Sequence, residues 1–342
     1  MTGNILFICG SLNQTTMMHK ISKQMEGYNC FFTPYYADGV EGFAASQGWL
    51  DFTVLGGRHM RETREYLARN LLPMDDRGTR RKYDLVVTCS DLIVQRNIRN
   101  TRLVLIQEGI TEPETWVYHL VKWLHLPRYI ANTSTSGLSN AYDVFCVASE
   151  GYADLFVRKG VKREKLYVTG IPNFDDLQIN LVNDFPFHGH VLVATSPLRE
   201  TFRRDDRDAF IRRCVELAAG RKLIFKLHPA ENVKRAQHEI NRIAPDALVF
   251  STGNVNHMIA NAATVITQQS TSTYVAVGLG KETHTNLNME ELKRLMPIQN
   301  NGDSARRIAG ICRRILHTPM PLIERARRGT LRTRPLWENI DL

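Results

Sequence analysis

Two short segments in the second half of the chain carry residues that can hold a phosphorylated ligand. Residues 225–229 (FKLHP) and 266–273 (ITQQSTST) each complete an apolar, strand-like run, and a helical pattern follows each of them. In an open α/β sheet, ligands bind just outside the carboxyl ends of the strands. A histidine at one strand end and a hydroxyl cluster at another favour a site for a phosphorylated ligand. This pattern points to an enzyme that uses a nucleotide-activated donor.

The hydroxyl cluster consists of Ser270, Thr271, Ser272 and Thr273, which lie between a predicted strand and a predicted helix. Capping a helix requires only one such residue. The free N–H groups at a helix start also bind phosphate, and the helix dipole favours the anion. Four hydroxyl residues in a row therefore favour a phosphate site over simple capping.

His228 and Pro229 follow a predicted strand, which the proline cannot extend. His228 can donate a hydrogen bond to a phosphate oxygen and stabilise a leaving group. The alternative is a core histidine bonded to a backbone carbonyl, and that is the better interpretation of this histidine taken alone. The hydroxyl cluster elsewhere in the same half of the chain favours the functional role.

Further side chains are predicted to serve the same nucleotide-phosphate site. Thr195 and Ser196 follow another predicted strand and would add hydroxyl groups, and Lys226 is assigned to this site with Pro229. Three arginines after the same strand could meet phosphate or could equally be solvated helix caps: Arg199, Arg203 and Arg204.

A second group of candidates, in the first half, could serve an acceptor. Glu108 and Gly109 follow a predicted strand, so Glu108 is either a general base facing an interdomain cleft or an exposed loop acid. Gly10 and Ser11 begin a loop that lacks the G-x-G-x-x-G fingerprint of dinucleotide sites. We therefore assign this loop to the acceptor, together with Gly109 and Asn173.

Strand-like runs alternate with amphipathic helical runs along almost the whole chain. Strands are predicted at residues 5–9, 29–33, 85–89, 103–107, 144–148, 166–169, 191–195, 223–227, 247–250 and 265–268. Helices are predicted at residues 16–26, 61–72, 115–124, 151–159, 205–219, 233–243, 256–262, 272–279 and 305–316. Such alternation predicts parallel sheets covered by helices, and right-handed crossovers make a Rossmann-like layout the default.

The alternation breaks after residue 174, and residues 180–189 read as a linker with little periodicity. We expect an α/β fold of two tandem Rossmann-like domains with an interdomain cleft. The predicted boundaries are 1–180 for an acceptor domain, 181–317 for a nucleotide-donor-binding domain, and 318–342 for a tail that could pack back on the first domain.

Composition is that of a soluble globular protein, with 43% hydrophobic and 23% charged residues among 342. No apolar run approaches the roughly 20 residues of a membrane helix, and the N-terminus resembles a first strand rather than a signal peptide. Six scattered cysteines without a C-x-x-C pair indicate buried thiols in a reducing, cytoplasmic setting. No metal-ligand spacing and no nucleic-acid-binding motif is found, and no cofactor is expected.

The net charge of +9 favours anionic partners. Part of the excess lies near the C-terminus: Arg325, Arg327, Arg328, Arg332 and Arg334. A solvated tail is the favoured interpretation, because no aromatic residues alternate with these arginines. The alternative is a peripheral contact with the anionic inner face of a membrane.

The second half of the chain resembles the C-terminal domain of GT-B glycosyltransferases. The nearest groups are the CDP-glycerol glycerophosphotransferases and the bacterial sialyltransferases together with capsule Kdo transferases. Their His-Pro and Ser-Ser or Ser-Thr motifs hold the phosphates of a cytidine nucleotide. The corresponding residues here are His228-Pro229 and Ser270-Thr271, with Ser272 adjacent.

The resemblance also bears on Glu108. Bacterial sialyltransferases carry an acidic-acidic-Gly motif whose second acid is the general base, and Gln107-Glu108-Gly109 keeps that second acid. The glycerophosphotransferases usually have His-Gly at this place. UDP-N-acetylglucosamine 2-epimerases share the two-domain layout, but their His-Val-Glu-Ala-Gly and Ser-Gly-Gly stretches are not reproduced in this chain.

Together, the residues and the resemblance imply a metal-independent transferase with a CMP- or CDP-linked donor. It would act on a glycan or lipid-linked acceptor in the synthesis of capsule, lipopolysaccharide, a teichoic-acid-like polymer or another surface polysaccharide. Glu108 would be the base, while His228 and residues 270–273 would stabilise the departing phosphate. Two alternatives stay open: an epimerase-like enzyme of UDP-sugars, and a non-catalytic protein that binds nucleotide or glycan.

Overall fold

The computed structural model describes residues 3–51, 53–200, 204–268 and 270–329. The strands are β1 (Asn4–Cys9), β2 (Asn29–Pro34), β3 (Leu85–Thr88), β4 (Arg102–Ile106), β5 (Val144–Val147), β6 (Leu166–Val168), β7 (Val191–Ala194), β8 (Leu223–Lys226), β9 (Leu248–Phe250), β10 (Thr264–Thr267) and β11 (Glu282–Thr285). The α-helices are α1 (Leu12–Ser22), α2 (Gly39–Ser46), α3 (Gly57–Arg69), α4 (Trp116–Leu124), α5 (Glu150–Lys159), α6 (Arg207–Ala218), α7 (Val233–Ile243), α8 (Val255–Asn261), α9 (Ser272–Gly278), α10 (Met289–Leu295), α11 (Ser304–His317) and α12 (Met320–Arg327).

These elements form two compact units. Unit 1 contains the described residues of Met1–Asp175 and of Pro297–Leu342, and unit 2 is Asp176–Met296. Each unit holds one sheet in which every strand pair is parallel. The predicted α/β class with two Rossmann-like domains is confirmed. Among the described residues, no helix combines the length and the apolar character needed to cross a membrane.

The sheet of unit 1 has the strand order β2-β1-β3-β4-β5-β6. Its inner strands are apolar almost throughout, as expected for parallel strands with both faces covered. The chain runs from β1 outward to β2 and then to β3 on the other side of β1. The strand order therefore changes direction between β1 and β3, and the loops after these two strands flank a crevice where α/β proteins bind ligands.

The C-terminal part of the described chain belongs to unit 1. Helix α11 packs on α1, β3 and β4, and its buried face contains Ile308, Ile311, Cys312 and Ile315. In α12, the guanidinium of Arg327 donates hydrogen bonds of 2.7 and 2.8 Å to the buried carboxylate of Asp143. This arginine is therefore part of a structural ion pair and is not a fully solvated side chain. Arg332 and Arg334 lie outside the described residues.

The sheet of unit 2 has the order β11-β10-β7-β8-β9. A cluster that includes Val191, Val193, Ile211, Cys214 and Phe225 fills the space between the central strands and helices α6 and α7. The chain runs outward through β8 and β9 and then returns to β10 on the other side of β7. The direction of strand order therefore changes between β7 and β10.

Several elements differ from the sequence-based predictions. Strand β11 was missed because its sequence, ETHT, is polar, which an edge strand with a single paired neighbour tolerates. Helix α1 begins at Leu12 rather than at residue 16, because the side chain of Ser11 accepts the N–H of Gln14 as an N-cap. The short helices α2, α10 and α12 were also missed, and α3 begins four residues earlier than predicted.

We expect the protein to lose stability in mild acid because of His190, which precedes β7 and packs beside Phe185. The residue is 1% exposed, and burial lowers its pKa from 6.5 to about 4. Between these values the unfolded state binds more protons than the folded state, so stability falls as the pH falls. One such group contributes a loss of about 2 kcal/mol between neutral pH and pH 5.

Urea unfolding from pH 7 to pH 4 tests this expectation. The variant His190→Phe keeps an aromatic ring without a titratable group, and its pH dependence should be weaker than that of the wild type by this amount. Parallel pH profiles for the two proteins would show that His190 is not the cause.

Candidate functional site

Three neighbouring strands of unit 2 bring the predicted phosphate-binding residues to one edge of the sheet. The last residues of β10, β7 and β8 are Thr267, Ala194 and Lys226, and they lie side by side in the register. The segments that follow them therefore leave the sheet at the same edge, beside the change in strand direction. At this edge the structure brings together Thr195 and Ser196, His228 and Pro229, and residues 270–273.

The ring of His228 has a defined tautomer. Its Nδ1 accepts a hydrogen bond of 3.1 Å from the backbone N–H of Ala230. In the neutral ring the proton therefore belongs to Nε2, which becomes the donor. The side chain is half-buried, at the end of an otherwise buried strand. A histidine in this state can donate to a phosphate oxygen, and that role stays a prediction.

The hydroxyl cluster spans the start of α9: Ser270 and Thr271 precede the helix, and Ser272 and Thr273 are its first two residues. The hydroxyl of Ser270 accepts the N–H of Ser272 at 3.2 Å and donates to the hydroxyl of Ser272 at 3.0 Å. The N-cap residue, Thr271, makes no capping hydrogen bond through its side chain. Simple capping by Thr271 therefore does not account for the cluster. Ser270 instead organises a turn at the helix start.

Buried polar atoms without a hydrogen-bond partner among the described residues gather around the end of β10. They are Oγ1 of Thr267, Oε1 of Gln268 and Oγ1 of Thr273. All three side chains are at most 5% exposed. Such atoms are rare in folded proteins and need an explanation. A polar ligand or ordered water at this edge would supply the missing partners.

The other predicted residues of this site have structural partners. The hydroxyl of Thr195 contacts the carboxylate of Glu231, and Ser196 is 1% exposed. The ammonium of Lys226 donates to the backbone carbonyl oxygens of Leu227 and Ser251 at 2.9 and 3.4 Å. Lys226 thus holds two backbone segments together, so a direct phosphate contact by this group stays a prediction.

A buried ionic cluster at the same edge was not recognised in the sequence. Arg207 and Glu231 lie 2.7 Å apart, and Arg207 is also 3.0 Å from Asp205. Gln268 donates to Asp205 at 3.2 Å. The arginines predicted for this site were Arg199, Arg203 and Arg204. Of these, Arg199 pairs with Glu239 and Asp205, Arg204 is exposed, and Arg203 lies outside the described residues.

In unit 1, Glu108 follows β4 and is held by Ser11, the N-cap of α1, and by the first turn of α1. Its Oε1 accepts from the hydroxyl of Ser11 at 2.9 Å and from Asn13 at 3.4 Å, and its Oε2 accepts from Gln14 at 2.5 Å. The side chain is partly exposed. The structure thus joins two segments that the sequence could only treat separately. The role of Glu108, as a general base or as a loop acid, stays a prediction.

The remaining acceptor candidates surround this carboxylate within unit 1. A Cβ atom at Gly10 would lie 2.0 Å from Oε1 of Gln14, so a larger residue there would displace a partner of Glu108. Asn173 donates to Asn13 at 2.8 Å and fixes the start of α1. Gly109 accepts a hydrogen bond of 2.8 Å from the side chain of Gln107.

A cavity of about 220 Å³ lies beside the end of β2. Its walls include Tyr35, Tyr36 and Met60, and Arg64 and Arg77 stand at its border. The hydroxyl groups of both tyrosines are already bonded, to Ser90, Ile93 and Asn97. Asp76 also lines the cavity and pairs with Arg64 at 2.9 Å. The cavity therefore combines an aromatic wall with charges of both signs. No residue proposed from the sequence lines it.

Solved structures with the same architecture share the GT-B type of fold. A putative UDP-N-acetylglucosamine 2-epimerase from Listeria monocytogenes is 12% identical, with a TM-score of 0.57 over 94% of this chain and 99% of that chain. The UDP-GlcNAc 2-epimerase from Neisseria meningitidis bound to UDP-GlcNAc is 12% identical, with a TM-score of 0.53 over 90% and 99%. The wall teichoic acid polymerase TagF is 10% identical, with a TM-score of 0.51 over 92% and 88%.

These likenesses confirm the predicted GT-B fold, and at such identities they establish the fold alone. No protein-family model matches the chain, and neither does any curated protein.

Proposed function

We propose that this protein is an enzyme that transfers a group from a nucleotide-activated donor, with the nucleotide bound by unit 2. The observation that carries the proposal is the shared edge of β10, β7 and β8. That edge holds a histidine whose Nδ1 accepts a backbone N–H, a hydroxyl cluster, and buried polar atoms that have no hydrogen-bond partner among the described residues. This composition suits the diphosphate or monophosphate of an activated donor.

In the proposed reaction, Glu108 accepts the proton of the acceptor hydroxyl. The acceptor oxygen forms the new bond, and the bond between the transferred group and the nucleotide phosphate breaks. The phosphate leaves with the electron pair, while His228 and the hydroxyls of residues 270–273 donate hydrogen bonds to its oxygens. Preorganised donors of this kind stabilise developing charge, so the proposed mechanism needs no metal ion.

Cytidine specificity and a role in surface polysaccharide synthesis are the finer parts of the proposal. The His228-Pro229 and Ser270-Thr271 motifs support a CMP- or CDP-linked donor, and the likeness in fold to TagF is compatible with it. The acceptor, a glycan or lipid-linked glycan, is assigned to unit 1, around Glu108. A peripheral membrane contact through the basic C-terminal region remains part of this proposal, with Arg325 and Arg328 as its described basic residues.

An epimerase-like enzyme of UDP-sugars is the second candidate. It is favoured by the likeness in fold to several UDP-N-acetylglucosamine 2-epimerases, one of them solved with UDP-GlcNAc bound. The hydroxyl cluster of this chain, Ser270-Thr271-Ser272, lacks the paired glycines of that group. A third possibility is a protein that binds nucleotide or glycan without turnover.

Calorimetric titration with CMP, CDP, UMP, UDP and GDP, with and without a divalent ion, separates these candidates. We expect a cytidine nucleotide to bind more tightly than its uridine counterpart, and equally well without the ion. Preference for UDP, together with formation of UDP-ManNAc from UDP-GlcNAc, would support the epimerase. Nucleotide binding without turnover over a broad panel of donors and acceptors would support the non-catalytic protein. Absence of binding to any of the five nucleotides would contradict the proposed donor site.

A further inference from the structure

We infer that Glu231 is a positioning residue that fixes the orientation and the tautomer of His228, and that Arg207 holds Glu231 in place. The catalytic consequence rests on the proposed function, whereas the geometry of the ring can be tested without any ligand. Neither residue was recognised from the sequence.

Glu231 closes a turn with His228 in two ways. Its backbone N–H donates to the carbonyl oxygen of His228 at 3.0 Å. Its side-chain Oε2 accepts the backbone N–H of His228 at 2.7 Å. The hydroxyl of Thr195, which follows β7, contacts the same Oε2 atom. Both backbone groups of His228 are therefore tied to Glu231, the N–H through the carboxylate and the carbonyl through the backbone N–H of Glu231.

An ion pair with Arg207 holds this carboxylate. Nη2 of Arg207 donates to Oε1 of Glu231 at 2.7 Å, and the side chains are 4% and 1% exposed. A buried carboxylate is tolerated only where charged or hydrogen-bonding partners offset its desolvation. Since each oxygen of Glu231 has a different partner, the plane of the carboxylate is fixed as well as its position.

The turn is also hydrogen-bonded to the imidazole ring of His228. The N–H of Ala230, inside the turn, donates to Nδ1 of His228 and thereby assigns the proton to Nε2. If the carboxylate no longer holds the turn, this N–H is no longer aimed at the ring. The imidazole can then populate the other tautomer, in which Nε2 is an acceptor and cannot donate to a phosphate oxygen.

The same cluster reaches the hydroxyl segment. Asp205 accepts from Nε of Arg207 at 3.0 Å and from Nε2 of Gln268 at 3.2 Å. Gln268 lies two residues before Ser270. A continuous set of contacts therefore runs across the ends of β8, β7 and β10. It keeps the two parts of the proposed phosphate site in a fixed relation.

The test uses Glu231→Gln in the full chain labelled with ¹⁵N-histidine. Glutamine keeps the size of the side chain, but it cannot accept from Arg207, Thr195 and the N–H of His228 at once. Two-bond ¹H–¹⁵N spectra, with His228 assigned through His228→Ala, should show Nε2–H in the wild type and a mixture of tautomers in the variant. Calorimetric binding of CDP and UDP should weaken about 10-fold, as expected when one charge-assisted hydrogen bond is misdirected.

Glu239→Gln is the matched control, because Glu239 reaches the same ionic cluster through Arg199, to which it is hydrogen-bonded. Its His228 signals and nucleotide affinity should match the wild type. If Glu231→Gln does not fold, Thr195→Ala removes the hydroxyl shared by Glu231 and the His228 N–H and should produce a smaller change of the same kind.

A folded Glu231→Gln variant with wild-type His228 signals would overturn the inference. A wild-type protein that binds neither nucleotide would contradict the proposed function alone, because altered His228 signals in the ligand-free variant would still support the positioning role.

Discussion

Replacing Glu108 by glutamine should lower turnover about 10²- to 10⁴-fold, the usual contribution of a general base. The substitution removes the group that accepts the proton but keeps the shape of the side chain. Its oxygen can still accept from Ser11, and the amide of Gln14 can rotate to present its own oxygen to the new NH₂ group. Stability should therefore change little, and nucleotide binding to unit 2 should stay at the wild-type level.

The measurement is single-turnover transfer with the donor identified by nucleotide binding. Glu114→Gln serves as the control, because Glu114 lies in the same segment after β4, and its only described ion pair is a distant one of 4.0 Å to Lys159. Its rate should match the wild type. Full turnover by Glu108→Gln would exclude this carboxylate as the base, whatever its effect on binding.

The overall fold could be predicted because buried parallel strands leave a simple signal in sequence. Strands such as β1, β5 and β10 are short apolar runs followed by polar loops, and within each sheet parallel pairing places the carboxyl ends of the strands at one edge. The site positions of His228 and Ser270 follow from that rule alone. Strand β11 was not predicted because its residues are polar. As an edge strand, it forms through hydrogen bonding to β10 and carries no run of apolar residues.

The partners of the site residues could not be predicted, for a physical reason. Asp205, Arg207 and Glu231 have the composition of a solvated surface, and charged residues are rarely buried unless they are paired. The register of β7, β8 and β10 brings Glu231 close to Asp205 and Arg207. Because these segments are far apart in sequence, no local sequence pattern indicates the contact. The one local signal was the spacing of three residues between His228 and Glu231, which suits a closed turn.

The case of Glu108 shows the same limit. From spacing alone, the roles of base and loop acid were equally good. The structure adds that Ser11 and the first turn of α1 reach across β3 to the end of β4, where Ser11, Asn13 and Gln14 donate hydrogen bonds to the carboxylate. Such a contact across an intervening strand follows from tertiary structure. Sequence patterns identify both segments, but they do not show that the two segments are in contact in the folded protein.

Replacing His228 by alanine should weaken binding of the nucleoside diphosphate about 10- to 100-fold and lower turnover about 10²- to 10³-fold. The first effect reflects the hydrogen bond from Nε2 to phosphate in the bound donor. The second is larger because charge builds up on the phosphate as it leaves. The turn should survive the substitution, since Glu231 holds the backbone N–H and carbonyl of residue 228 rather than its ring.

Two further variants make the result specific to this ring. His228→Gln retains an N–H donor at about the reach of Nε2 and should keep more binding and turnover than His228→Ala. His238→Ala, on the exposed face of α7, is the matched control and should behave as the wild type. Equal nucleotide affinity in wild type and His228→Ala would remove His228 from the donor site. The edge of β10, β7 and β8 would then need another occupant to account for the polar atoms of Thr267, Gln268 and Thr273 that have no partner in the described part of the chain.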